Sequence, residues 1–243
     1  MRRVLGFLVV VVLLFVVGAV VAAVVAADSA PEAARKRKPA TRDPVVLVHG
    51  FDGSAASWRV MVSRLVDAGY PDDRVEAISY DSTISNVDVA RQISEAIDTL
   101  RARTGARRVD IVSHSMGAIS SRYYLERLRG TDAVDAWVSL GGVNEGTVWA
   151  YGCFLLRSCQ EMVPNSPLLD DLNRDFPPIA KTRYGTWWSP CDIAIVPATN
   201  AQLVGATNTE TPCIGHSDLK TDPNVFAQVL RFIDRETARR VTV

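Results

Sequence analysis

Three histidines occur in this 243-residue chain, His49, His114 and His216, and one of them stands where it can serve a serine. Ser115 lies in Ser113-His114-Ser115-Met116-Gly117, where the apolar run Val109-Asp110-Ile111-Val112 gives way to a helical pattern. A serine on a tight strand-to-helix turn has its hydroxyl lifted above the sheet, with the next helix's N-terminus aimed at it. Such a turn needs small neighbours. Gly117 meets that need, and Ser113 stands where glycine is usual. The plain alternative is a serine that only caps the helix. A serine hydroxyl is a poor nucleophile unaided, so the chain must also supply a base.

His114 adjoins the serine, and its side chain is expected to point away from the hydroxyl. His49 ends the first apolar run and is expected to brace a loop. Elimination leaves His216, in Cys213-Ile214-Gly215-His216-Ser217 before the last helical stretch, against the alternative of a surface or packing histidine. A third group must orient that imidazole and stabilise its protonated form. Asp192, in Ser189-Pro190-Cys191-Asp192, follows an expected fifth strand, at the end of an open α/β sheet where ligands gather. Asp218 and Asp222 are nearer in sequence but are expected to cap or solvate the final helix. His49-Gly50-Phe51-Asp52-Gly53 then offers a backbone donor for a developing oxyanion. Phe51 N–H and Met116 N–H are the expected pair, with a simple glycine turn as the alternative. Together these groups would perform nucleophilic acyl transfer, which needs no cofactor. No Cys/His cluster has the spacing of a zinc site, so no metal is expected.

The elements that must position them alternate. Expected strands cover Val45–Val48, Val75–Tyr80, Val109–Val112, Ala136–Leu140 and Tyr184–Trp188. Expected helices cover Trp58–Ala68, Val87–Arg103, Met116–Arg129 and Val225–Arg235. Continuous apolar runs suit strands buried on both faces, and strand–helix alternation implies a mostly parallel, doubly wound α/β sheet in a single domain over residues 44–243. The stretch Asn144–Pro178 reads as irregular and too long for a plain connection. Its Gly146-to-Tyr151 and Phe154-Leu155-Leu156 segments put apolar surface in this stretch, either to line an acyl pocket or dip into a lipid interface, or as an ordinary buried loop held by Cys153–Cys159. Trp187-Trp188 reads as core and pocket wall.

Lys+Arg and Asp+Glu both number 27, which excludes a basic nucleic-acid binder as the first reading. Val4 to Ala27 carries no charge and follows Arg2-Arg3, the plan of a signal peptide over residues 1–27, yet long enough to be an uncleaved membrane anchor. Residues 28–43 form a linker with Arg35-Lys36-Arg37-Lys38 and prolines. Four cysteines, all after the leader, suit two disulfides in an exported protein. Of three pairings, Cys153 with Cys159 and Cys191 with Cys213 is preferred. The expected location is secreted, or extracytoplasmic and anchored through residues 4–27. Oligomeric state is left open.

On these residues the sequence resembles a known family, the exported bacterial lipases of the small α/β-hydrolase class, the class 2 lipases. The resemblance rests on Val45-to-Gly53, Val112-to-Gly117, Cys191-Asp192 and Gly215-His216-Ser217, and extends from about Pro44 to Ile233. Cys159-Gln160-Glu161-Met162 with Pro164-Asn165-Ser166 is similar to a cysteine-bearing, proline-turn segment of actinobacterial members. It implies the α/β-hydrolase fold, Ser115, Asp192 and His216 as the triad, Phe51 and Met116 as oxyanion donors, and acyl-ester lipids as substrates, with transient contact to a lipid interface. Ser113 in place of the first elbow glycine is a departure. A thioesterase or acyltransferase would use the same triad. A membrane-tethered binding protein without catalysis is the rival from another class, and a peptidase has no support from any extended-chain recognition feature.

Overall fold

The computed structural model describes residues 42–174, 176 and 182–234. These belong to one compact unit that begins at Thr41. The apolar run Val4–Ala27 and nearly all of the linker lie outside the described residues. Among the described residues no helix is long and apolar enough to cross a membrane.

Strands β1 (Val45–Val48), β2 (Val75–Ala77), β3 (Val109–His114), β4 (Val134–Leu140), β5 (Arg183–Trp188) and β6 (Thr207–Glu210) make one sheet. Their order is β2-β1-β3-β4-β5-β6 and every described pair is parallel. Helices α1 (Arg59–Asp67), α2 (Asn86–Thr104), α3 (Gly117–Arg127) and α6 (Pro223–Ile233) flank it. Alternate side chains of β1 explain the layering. Val46 and Val48 join Val89, Ile93 and Ile97 of α2 and Ala118 of α3 in one core. Val45 and Leu47 join Met61 and Leu65 of α1 and Val225 and Val229 of α6 in the other. A strand with both faces buried has no polar face, which is why β1 reads as an unbroken apolar run. From β1 the chain turns to β2 on one side and then to β3 on the other. That reversal opens a crevice at the carboxyl ends of β1 and β3, where a doubly wound sheet holds its ligands.

Three readings of the sequence are corrected. The second strand ends at Ala77 rather than Tyr80, because the chain turns off to His49, whose Nε2 accepts from Tyr80 N–H at 3.3 Å. Strand β6 carries only exposed and half-buried polar residues and shows no apolar pattern. The stretch from Asn144 is not irregular. It holds a 3₁₀ turn, Val148–Cys153, and the short helices α4 (Arg157–Met162) and α5 (Pro167–Arg174).

This stretch makes a loop with adjoining ends. Thr147 N–H donates to Met162 O at 2.9 Å, and a Cβ on Gly146 would lie 2.6 Å from the Pro164 backbone. Its own core includes Ala150, Cys159 and Met162, with Met116 and Ile119 beneath and Trp188 and Ile195 to the side. The disulfide Cys153–Cys159 closes it, and Cys191–Cys213 is the second bridge, so both expected pairings are present.

Candidate active site

All five residues singled out from the sequence lie on loops or turns after the carboxyl ends of strands. Ser115 follows β3 directly, with φ +55°, a left-handed conformation that a residue bearing a Cβ adopts only when its surroundings impose it. Those surroundings are visible. Ser115 N–H donates to Leu140 O at 3.1 Å, Val143 N–H donates to Ser115 O at 3.3 Å, and Ala118 N–H donates to the same oxygen at 3.0 Å. Gly117 lets α3 start against β1, since a Cβ there would lie 2.4 Å from His49 O and 2.8 Å from Val48 O. Ser113 fits the elbow because it is small and its buried hydroxyl donates to Val138 O at 2.8 Å.

His216 and Asp192 meet. His216 Nδ1–H donates to Asp192 Oδ2 at 2.7 Å, with the aspartate buried and the histidine partly open to solvent. The other carboxylate oxygen accepts from Ala194 N–H at 2.8 Å and Ile195 N–H at 3.0 Å. Such a carboxylate is fixed on both oxygens, and it holds the imidazole's proton on Nδ1 so that Nε2 is left as the base. Cys191, next to the acid, is bonded to Cys213, three residues before the base. No hydrogen bond joins Ser115 Oγ to His216 among the described residues. Contacts of this kind in free enzymes are often long and tighten with substrate.

The glycines show how closely the pieces approach. A Cβ on Gly50 would lie 2.6 Å from Ser115 Cβ and 3.3 Å from its Oγ. One on Gly141, at φ +53°, would lie 3.0 Å from His216 Nδ1 and 3.1 Å from Asp192 Oδ2. Gly141 directly follows β4. Its role as the floor under the acid–base pair had one available signal, a glycine pair at a strand's carboxyl end.

Phe51 and Met116 flank Ser115 from the β1 loop and the elbow. Among the described residues neither amide N–H meets an acceptor, whereas their neighbours are taken: Asp52 N–H donates to Ser82 Oγ at 2.9 Å and Gly53 N–H to Gly50 O at 3.2 Å. Asp52 sits at φ +55°, a second left-handed residue in this loop. His49 braces the loop as expected. Its Nδ1–H donates to Gly50 O at 2.7 Å, its ring stacks on Tyr80 with centroids 3.9 Å apart, and burial pushes its pKa down. His114 is buried, with its ring centroid 4.5 Å from that of His216. Asp222 caps α6 and takes no part here.

The disulfide-closed loop is pinned on both sides of the crevice. Thr147 Oγ1–H donates to Ala194 O at 2.8 Å and Trp149 Nε1–H to Ile193 O at 2.7 Å, on the segment that follows Asp192. On the far side Glu161 accepts from Ser85 Oγ–H at 2.7 Å and from Asn86 N–H at 2.6 Å, a carboxylate at the positive end of α2. Asn86 Oδ1 in turn accepts from Ser120 Oγ–H of α3 at 2.6 Å. Two of these pairs, Ser85–Glu161 and Asn86–Glu161, lie 76 and 75 positions apart, which hides them from a sequence reading. A crevice of about 440 Å³ runs along the loop, lined by Tyr151, Phe154, Val163, Pro164 and Leu168 among others, and by none of the five candidate site residues.

A model of the family described as Lipase (class 2) matches residues 42–213, ending short of His216. A triacylglycerol lipase of Vibrio cholerae is 30% identical over 112 residues, 45% of this chain; the match spans 35% of that relative's length. Among solved structures, the mature lipase BlEst2 of Bacillus licheniformis is similar at TM-score 0.67 and 20% identity, over 80% of this chain and 93% of that one. An α/β hydrolase from a lagoon-sediment metagenome of Mar Chica, Morocco, is similar at TM-score 0.58 and 18% identity, over 81% and 92%. At that identity the structural similarity speaks for the fold, which is the α/β-hydrolase fold.

Proposed function

We propose that this chain, which belongs to the class 2 lipase family, is an exported serine hydrolase of carboxylic esters on acyl lipids. The observation that carries the reading is the 2.7 Å contact of His216 Nδ1 with Asp192 Oδ2 beside a serine held in a left-handed elbow. His216 Nε2 takes the proton of Ser115 as Oγ attacks the ester carbonyl. Phe51 N–H and Met116 N–H receive the oxyanion, and the proton passes to the departing alcohol. Water then repeats the sequence on the acyl-enzyme. Asp192 stabilises the imidazolium through both steps, and residues 44–243 form the catalytic domain.

Two disulfides behind a basic, apolar start support export. The loop after β4 supports a lipid substrate at an interface. Leu155 is 98% exposed and Trp149 65%, and Tyr151, Phe154 and Ile193 share that rim. Trp and Tyr present an apolar body with a polar tip, which suits a wet boundary.

The test is hydrolysis of an ester series from short to long acyl chains by the full chain, with Ser115→Ala beside it. Turnover that rises with chain length and falls by about 10⁴-fold or more in the variant is expected. Confinement to short chains would make it an esterase. Turnover that survives Ser115→Ala would sink the reading, and hydrolysis only of thioesters would favour the thioesterase.

A further inference from the structure

His114 is buried at the last position of β3, immediately before the nucleophile, and the proposed mechanism gives it no task. Its Nε2 lies 3.1 Å from the backbone oxygen of His216, 102 positions away. A carbonyl only accepts, so the proton sits on Nε2 and the imidazole is the donor. The ring is held from behind by Trp58, edge-on at 6.5 Å and 90°, and in front it meets the His216 ring at 4.5 Å and 44°.

Apart from the Cys191–Cys213 bridge three residues upstream, the loop that carries His216 has few other anchors, and none of them holds the His216 backbone itself. Upstream, Ser189 Oγ accepts from Ile214 N–H at 3.0 Å and donates to Ile214 O at 2.7 Å. Downstream, the Ser217–Lys220 turn is largely exposed, apart from the buried Leu219. Asp192 holds the imidazole of His216 at Nδ1, but a side-chain contact alone leaves the backbone beneath it free to shift. The hold on that backbone carbonyl is His114.

We infer that His114 is a positioning residue: from the elbow that carries Ser115 it fixes the backbone of His216, so that the nucleophile and its base are set by one rigid connection. This rests on the proposed triad and extends it. Histidine suits the place because it both donates to the carbonyl and packs as a flat ring between Trp58 and His216. Glutamine can donate without packing in the same way, and phenylalanine can pack without donating. The titratable groups that face His114 are His216 and Lys220 on the base loop and turn, and His49 at the end of β1. Burial holds His114 neutral. A neutral neighbour is what the mechanism needs, since a second cation 4.5 Å away would oppose the imidazolium formed during acyl transfer.

The experiment compares His114→Gln and His114→Phe with the unaltered protein. It reads kcat, KM, the low-pH limb of kcat/KM and the downfield proton of the His216–Asp192 hydrogen bond by NMR. In His114→Phe, kcat falls roughly 10- to 100-fold with KM within about twofold, the limb moves, and the downfield resonance broadens or vanishes. His114→Gln keeps the resonance and most of kcat. A histidine that only fills space would give the reverse ranking, with the limb and the resonance unmoved, and that outcome overturns the inference. If His114→Phe does not fold, scalar coupling across the hydrogen bond from His114 Nε2 to the His216 carbonyl carbon in the unaltered protein decides. Its presence supports the hold and its absence overturns it. Survival of turnover in Ser115→Ala would refute the triad instead, and the NMR readouts would still answer for His114.

Discussion

The two ends of the sheet are built on opposite plans. At the amino ends of β3 and β4 the polar groups are charges in pairs. Arg183 meets Asp135 at 2.8 Å, Arg108 approaches the same carboxylate at 3.7 Å, and Arg42 meets Asp234 at 2.9 Å. Asp110 accepts from Ala136 N–H at 3.0 Å, and its carboxylate gathers with those of Asp43 and Asp135. At the carboxyl ends the polar groups are three imidazoles and the buried carboxylate of Asp192, amides with no acceptor among the described residues and residues at positive φ, set around glycines with no room for a Cβ. One end compensates its charges locally. The other keeps donors and a base uncompensated so that a substrate can complete them, and stores backbone strain in doing so. Stability and reactivity are thus assigned to separate places on the same strands.

Four changes would break or sharpen that contrast. Asp192→Asn should do the greatest harm to turnover, roughly 10⁴-fold in kcat, because the amide no longer fixes the imidazole's tautomer. Its denaturant midpoint should move little, and steady-state kinetics alongside urea titration checks both. Asp135→Ala should do the reverse. It leaves two guanidinium groups without their carboxylate, at about 2–3 kcal/mol of stability after allowing for the solvent each still reaches, with kcat per folded molecule unchanged. Loss of kcat in that variant would mean the ends are coupled. Gly141→Ala should touch both properties: about 1–3 kcal/mol from the left-handed backbone and the crowding, and a roughly 10- to 100-fold loss of activity as the acid–base pair is pushed apart.

The last effect is that of mild acid. His49 and His114 are both held below the ordinary value of 6.5 by burial. The unfolded chain takes up those protons below about pH 6.5 while the native state does not, so stability falls as pH falls, by up to ~1.4 kcal/mol per pH unit for each histidine. Glu126 and Glu145, raised by burial, act in the other direction as pH falls through their native values. Both histidines belong to the carboxyl end. Hydrogen exchange at pH 5.5 should therefore open Gly50–Asp52 and Gly215–Lys220 before β4. Uniform loosening would erase the distinction.

Legibility in the sequence follows the same division. Strands buried on both faces announce themselves as apolar runs, and the elbow announces itself through Ser115 and Gly117 between such a run and a helix. His216 could be reached by elimination because histidine is scarce. What escaped had no local signal. Strand β6 is polar because it is an exposed edge: Thr207, Asn208 and Glu210 face solvent and Thr209 is half-buried. Helices α4 and α5 span six and eight residues, too short to form by propensity, and exist through partners such as Ser85 and Asn86 far along the chain. The placing of His114 against His216 depends on where a late loop returns, which no window around either residue contains.

The Cys191–Cys213 bridge has one more consequence, for the chain before it folds. It spans 22 positions and lies one residue from the acid and three from the base. Once oxidised, even a fully denatured molecule keeps those two side chains on a short tether, at a local concentration that the open chain never reaches. Half of the proton relay then needs no long-range search, and heat or denaturant separates it only from the serine. Recovery of activity after such treatment should depend on whether the bridge was intact when the chain came apart.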